Sequence, residues 1–532
     1  MPRTYLFSIL LVFLATLLSI TPDIYRLIIA PANTTFPLIH NYSEDYFGYL
    51  QYMHQGLEGR WLITSRFTPE KFIPYFVYTF YSLLGHISRI THITLPWMYF
   101  LSRIIFSITL SFCILLIISK LFSKYKLIIA ILFVLFATGF WTIASQSLAL
   151  VPSTHLLPVY QFLSYWSHFD PIARTTYIPH HLLSTTLGLL SIYFLVSALE
   201  ENNIKKGVLA GLLGLISGFI FYSTMINILG GITIGIIIII FRNKNTSLFS
   251  FIFYLLIYFL LSSLSIIYLY FLSHTTFPWT LYDDLKQRFY FPVPFPEYIL
   301  ALGPTFLLTL IGLKEILKEK KLLSTFLLGW VIFPFFGFFF LLPIFPKYGN
   351  MMFLEATSYI PLGILAVYGI NQLKIIIKNR KIYISLLIIL FLYFLPPLTS
   401  SFHKEITMFP PYIYNLYIPS DILKGIDWLD KNSPQEAVVL SGGYFGNVIP
   451  AFSHNRVAYG HKDATYQASL KHEEMLIFFS QNDIPKAKEI LLKYRVSYIF
   501  YSLDTDPPKD EFIKSLNLQK IYENSKVKIF KI

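Results

Sequence analysis

The chain has 532 residues, 55% hydrophobic and 18% aromatic, with only 13% charged and a mean hydropathy of +0.58. A soluble protein keeps about 25% charged residues to wet its surface, so a soluble multi-domain enzyme, a disordered chain and a coiled coil are excluded. The net charge of +13 is dispersed singly along apolar sequence, which argues for membrane topology and against nucleic-acid binding.

A helix needs about 20 apolar residues to cross a hydrocarbon core of roughly 30 Å. The first such stretch follows Arg3 and runs to Ile20 with no cleavage site behind it, so it reads as a membrane helix and not a signal peptide. Further spans are predicted near 97–119, 127–145, 182–199, 207–222, 226–241, 248–272, 299–313, 322–342, 354–372 and 382–398. The single cysteine, Cys113, lies in one of them, so neither an intramolecular disulfide nor a cysteine-built metal site is available. Arg103, early in an apolar span, needs a partner.

The segment 72–90 is apolar but carries Pro74, His86 and Arg89. If it does not span and the N-terminus is cytoplasmic, the lysine- and arginine-bearing loops 120–126, 205–206, 242–244, 314–321 and 374–381 all face the cytoplasm. It therefore reads as an aromatic juxtamembrane helix on the outer face. About eleven spans remain, and the odd number puts the C-terminal domain outside the cell membrane. The long loops 23–96, 146–181, 273–298 and 343–353 then lie on the outer side with most of the acids of the membrane region.

From about residue 400 charges of both signs appear. Asp421–Lys431 and Lys486–Tyr494 read as helices, and Ala437–Leu440, Val496–Tyr501 and Val527–Phe530 as strands. The expectation is a membrane domain over 1–399 and a soluble external α/β domain over 400–532. The latter holds about sixteen basic and fifteen acidic residues, so it is no basic nucleic-acid module. No fixed-period repeat and no matched broken helices are visible.

The first outer loop contains His40-Asn41-Tyr42-Ser43-Glu44-Asp45-Tyr46-Phe47-Gly48-Tyr49, then Gly59-Arg60-Trp61. A carboxylate there can deprotonate an acceptor hydroxyl, and two solvated loop acids would look the same. The second contains His168-Phe169-Asp170-Pro171, Arg174, Tyr177 and Pro179-His180-His181. Two carboxylates from separate loops can bracket a metal, but no HxxxH or HExxH spacing supports zinc, and paired interfacial histidines also serve as hydrogen-bonded structure. Arg288 follows Asp284-Leu285-Lys286-Gln287, and Lys347-Tyr348 follows Phe345-Pro346; such cations hold phosphate or anchor to headgroups. In the external domain, Ser441-Gly442-Gly443-Tyr444-Phe445-Gly446-Asn447 is no dinucleotide fingerprint, and Gly460-His461-Lys462-Asp463-Ala464-Thr465 is a polar loop with no assigned role.

Asp45-x-x-x-Tyr49 followed by Gly59-Arg60-Trp61 resembles the first external loop of GT-C glycosyltransferases, such as lipid A aminoarabinose transferases and protein O-mannosyltransferases. Lys71 and Pro74 stand where that superfamily has a lysine and a Pro-containing juxtamembrane helix. Asp170-Pro171, Gln287-Arg288-Phe289 and Lys347-Tyr348 resemble its later external elements, although tyrosine follows Lys347 directly here. The resemblance implies an inverting transfer of a sugar from a polyprenyl-phosphate donor to a lipid, glycan or protein acceptor at the outer leaflet. It implies Asp45, Glu44 and Asp170 as catalytic acids; the order is Glu-Asp where the family more often has Asp-Glu, so both are retained. Arg288, Lys347, Lys71 and Arg174 would bind the donor phosphate, and His168, His180, His181 and Tyr348 would touch substrate or metal. The resemblance fixes no cofactor and leaves room for a divalent metal ion. The other functions weighed are a lipid or polysaccharide transporter, a ligase or polymerase using a diphosphate-linked donor, and a scaffold that has lost catalysis.

Overall fold

The computed structural model describes residues 3–40, 42–140, 169–242, 248–281, 295–341, 351–407 and 416–532. The chain divides into two compact units, each assembled from three segments. Met1–Pro22, Ser102–Leu269 and Asp283–Met408 form the first; Asp23–Leu101, Tyr270–Tyr282 and Phe409–Ile532 form the second.

Among the described residues nine helices are long and apolar enough to cross a membrane, which makes this a multi-pass membrane protein. They begin at Arg3, Leu95, Pro179, Tyr222, Phe251, Tyr298, Leu322, Tyr359 and Arg380. Two of the eleven expected spans are shorter. Ile204–Ile220 has 17 residues, about 26 Å of helix, and Phe221 then turns extended. The span expected over 127–145 is helical as Tyr125–Phe136 and stops there, with Ala137 extended. The span expected over 354–372 is shifted to Tyr359–Ile376, behind a separate one-turn helix at Met351–Leu354.

Small residues bring the helices of the first unit together. Along Ile204–Ile220, Gly211, Gly214 and Gly218 face Leu261, Ser262 and Ser265, and a methyl group on any of them would collide with those side chains. With no hydrophobic drive between helices in lipid, such close approach is what holds them. Every residue from Tyr359 to Ile370 is buried, so this helix is the unit's centre. Phe295–Glu319 breaks at Gly303, whose φ of 71° only glycine adopts freely, and whose missing side chain admits the Thr138 carbonyl.

In the second unit a two-residue strand β1 (Thr34–Thr35) pairs antiparallel with β2 (Ile418–Pro419). The main sheet holds β3 (Val438–Ser441), β4 (Arg456–Val457), β5 (Tyr498–Ser502), β6 (Gln519–Glu523) and β7 (Val527–Lys531), in the order β4-β3-β5-β7-β6. β3 is parallel to β4 and β5, while β7 is antiparallel to β5 and β6. Helices Ser420–Asn432 and Ile484–Lys493 stand where the sequence predicts them; Phe445–Phe452, Ala468–Ser480 and Asp510–Ser515 are additional. Val438, Leu440, Phe478, Ile490, Ile499 and Tyr501 belong to the core.

The juxtamembrane helix expected over 72–90 is Thr79–Thr91. Pro74 disfavours helix at the residue before it, Tyr75 is bridged to Ile63, and a turn ending in left-handed Tyr78 leads into the helix. This helix packs on Ser43–Leu57 through Gly56 and Gly85, where a side chain on either would strike the other helix's backbone.

Candidate functional site

The Ser43–Leu57 helix begins with Ser43, Glu44 and Asp45 in its first turn, where acids suit the positive end of the helix dipole. One face buries Tyr46, Phe47, Leu50 and Met53, which fixes the helix against the second unit's core. Beside it Tyr49, Tyr81 and Tyr99 stand nearly parallel, Tyr49 and Tyr81 with ring centres 4.6 Å apart. Burial first, and then the charge of Asp45, pushes the Tyr49 phenol well above its ordinary value, so it stays neutral at physiological pH.

Asp45 is 37% exposed. Its Oδ1 accepts a hydrogen bond of 3.1 Å from Nε2 of His461, a buried histidine distant in sequence. The loop that carries His461 is tightly tethered. Gly446 and Gly460 pass with no room for a side chain on either, the Gly460 N–H donates to Thr465, and Ser65 donates to the Ala464 carbonyl. The imidazole lies against Gly48 and the Phe67 ring. Lys462, exposed, sits 5.6 Å over the Tyr42 ring.

The tautomer follows from geometry. The Asp463 N–H donates to Nδ1 of His461 at 3.1 Å, so Nδ1 carries a lone pair and Nε2 carries the proton given to Asp45. Burial disfavours the charged ring, while Asp45, Glu44 and Asp463 favour it and leave the pKa above its ordinary value. The amide decides the resting form, since a protonated Nδ1 would face an N–H with nothing to accept it.

The rest of the long loop that carries Asp45 is held by ion pairs. Arg66, fully buried, donates to Glu58 at 2.6 Å, and His54 reaches the same carboxylate at 2.9 Å. Burial opposes the charge on Glu58, but the His54 and Arg66 bonds overcome it and hold its carboxyl far below the usual range. Arg60 and Arg456 both pair with Glu436, and Arg456 also donates to the carbonyls of Ser65, Thr68 and Glu70. Buried Lys471 binds Glu70 at 2.6 Å. In Gly59-Arg60-Trp61 the arginine is therefore a structural tie, and Trp61 stacks on His86 at 4.1 Å. Lys71 is 77% exposed and 4.0 Å from Glu436.

The first unit holds Asp170, Arg174, His180 and His181. Asp170 caps the Pro171–Thr175 helix: Oδ1 accepts from the Ile172 and Ala173 amides at 2.9 and 3.2 Å. The Ser401 hydroxyl lies against both its oxygens. Arg174 is buried, gives its guanidinium to the carbonyls of Val134 and Ala137, and lies over the Tyr359 ring at 4.5 Å. Burial pushes it down to about 10, still charged at neutral pH. Arg103 finds its partner in Thr176, through the carbonyl at 2.8 Å. The rings of His180, His181 and Phe221 pack together, with His181 and Phe221 4.0 Å apart.

His168, Arg288, Lys347 and Tyr348 lie outside the described residues. Among the described residues no three His, Cys, Asp or Glu side chains group to hold a metal ion. His461 is the residue that sequence reasoning left without a role. Its loop stood out as polar, but no spacing ties position 461 to position 45, 416 residues away.

No protein-family model matches the sequence, and no curated protein does. Solved structures do match. The apo oligosaccharyltransferase of Archaeoglobus fulgidus aligns with a TM-score of 0.54 at 12% identity, covering 93% of this chain and 70% of that one. Arabinofuranosyltransferase AftD from mycobacteria aligns with 0.51 at 10%, covering 98% of this chain and 41% of that longer one. ArnT of Cupriavidus metallidurans in the apo state aligns with 0.49 at 9%, covering 92% and 93%. At these identities the likeness shows the fold, which is GT-C-like with a sheet-containing C-terminal region.

Proposed function

We propose that the chain is a membrane glycosyltransferase that moves a sugar from a polyprenyl-phosphate donor to a hydroxyl acceptor at the outer leaflet. The observation that carries this reading is Asp45, a half-exposed carboxylate fixed at a helix start with one oxygen held by His461 and part of the group open to solvent. The fold supports it, since the two structures aligned above a TM-score of 0.5 are named for sugar transfer. The lysine and arginine bias, read for a cytoplasmic N-terminus, puts the Asp45 loop and the C-terminal domain on one side of the membrane, away from the cytoplasm.

In this mechanism Oδ2 of Asp45 accepts the proton of the acceptor hydroxyl as that oxygen attacks the anomeric carbon. The bond from that carbon to the phosphate oxygen breaks, its electrons leave with the phosphate, and the centre inverts. General-base help of this kind is worth about 10²–10⁴ in rate. Polyprenyl phosphate departs with growing negative charge, which cations must meet. Arg288 and Lys347 are assigned to this by resemblance, and Lys71 is an exposed amine in the same unit as Asp45. Glu44 neighbours the base and is the alternative to it. Asp170 and Arg174, engaged with backbone and with Ser401, are assigned to shaping the second loop. A divalent metal ion would need donors that the described residues do not group, and no step here runs through one.

The test is release of polyprenyl phosphate by the full chain in nanodiscs, offered a panel of polyprenyl-phosphate-linked hexoses and pentoses with glycolipid, glycan or protein acceptors. Acceptor-dependent release, lost in Asp45→Asn, is expected. A wild-type chain inert toward the whole panel, or Asp45→Asn at wild-type rate, overturns the reading.

A further inference from the structure

The mechanism asks one thing of Asp45 that a loop acid does not provide, a fixed direction. A free carboxylate rotates about its χ2 and presents either oxygen with either lone pair. Here Oδ1 is held by the His461 N–H, and the imidazole is itself held from its other side. Its far nitrogen is occupied by the Asp463 amide, its ring lies tilted against Phe67 with centres 5.7 Å apart, and Gly48, without a side chain, leaves room for its edge. The loop beneath it is fixed by the Gly446–Gly460 backbone contact and by the Thr465 hydroxyl.

We propose that His461 is the positioning residue of the reaction: as a neutral Nε2–H donor built into the C-terminal sheet region, it holds Oδ1 of Asp45 and aims Oδ2 at the acceptor hydroxyl. The histidine takes no proton from substrate and touches none. It gives the C-terminal region a share in catalysis that its nearly balanced charge and its lack of a nucleotide motif did not suggest. The proposal rests on Asp45 being the base. Misdirecting a base by about 1 Å costs on the order of 10²-fold in rate.

The chemistry separates positioning from packing. Glutamine places an amide N–H where Nε2 stands; asparagine carries its amide one bond short of that place; phenylalanine keeps the ring and removes the donor. Polyprenyl phosphate release is measured for the full chain in nanodiscs with the same donor panel, alongside thermal unfolding. His461→Phe is expected to lose about 100-fold in kcat with donor KM within twofold, His461→Asn to fall with it, and His461→Gln to stay within about fivefold of wild type. A packing role predicts the reverse, with phenylalanine tolerated and glutamine damaged. If His461→Phe turns over like wild type, or His461→Gln is folded and as slow as His461→Phe, the proposal fails while the functional reading stands. A wild-type chain that releases nothing from any donor removes the functional reading and the positioning role together.

Discussion

Asp45 and Asp170 each stand at the start of a helix in a long loop, one in each compact unit. Asp170 accepts from two backbone amides and faces the Ser401 hydroxyl, and the arginine four residues on caps the end of Tyr125–Phe136. Asp45 leaves the amides of its own helix alone, and its hydrogen bond comes from a histidine on another part of the fold. Asp170 is the N-cap of its helix and Asp45 the third residue inside its own, so the first closes a loop on backbone amides and the second is held by a distant side chain. The distinction lies in what each acid is bonded to.

The largest expected effect splits the pair. Asp45→Asn should lower sugar transfer by about 10²–10⁴-fold with thermal unfolding unchanged. Asp170→Ala should keep the turnover of folded protein and lose about 1 kcal/mol of stability, the usual value of an N-cap. If Asp170→Ala instead stops turnover in a stable protein, the contrast between the two acids collapses.

Arg174→Met comes next. It leaves the Val134 and Ala137 carbonyls without their buried donor, and a cost of about 3 kcal/mol is expected in thermal unfolding, at about 1–3 kcal/mol for each unmet group. A stable variant with weakened donor binding would return Arg174 to the phosphate.

The second unit's ion pairs predict an acid limb. Burial opposes the charge on Glu436, Glu70 and Glu58, and their cationic partners more than offset it, so all three have folded pKa values below the ordinary 4.5. Their stabilisation is complete above that value and is lost as pH falls through the lowered ones. The unfolding midpoint should therefore hold from pH 7 to about 5 and drop below about 4.5. Glu436→Gln should lower it at neutral pH and flatten the drop. A midpoint indifferent to acid would mean the pairs hold nothing. The smallest effect belongs to Lys71→Ala, whose exposed pair with Glu436 is worth at most about 1 kcal/mol, so a large loss of turnover there would mark it as a phosphate ligand.

Much of the membrane unit was legible because a 20-residue apolar run has few alternatives in lipid. The exceptions have tertiary causes. Tyr125–Phe136 stops where Arg174 takes its last carbonyls, and nothing near residue 137 announces a partner at 174. Ala468–Ser480 escaped notice because its inward face includes Lys471 and Glu474, buried against Glu70 and Lys493, which blurs the apolar period. β6, QKIYE at a sheet edge, has no buried alternation to read. Asp45 could be singled out from its motif. His461 could not, since its meeting with Asp45 is made by the loop after β4 folding onto the first turn of a helix far upstream.

The claim that Asp45 takes the acceptor's proton is tested most directly by single-turnover release of polyprenyl phosphate, wild type and Asp45→Asn side by side in nanodiscs with donor binding measured in each. The account predicts unchanged donor affinity and release at least 100-fold slower in the asparagine chain. Release at the wild-type rate from a fully folded Asp45→Asn chain would contradict it.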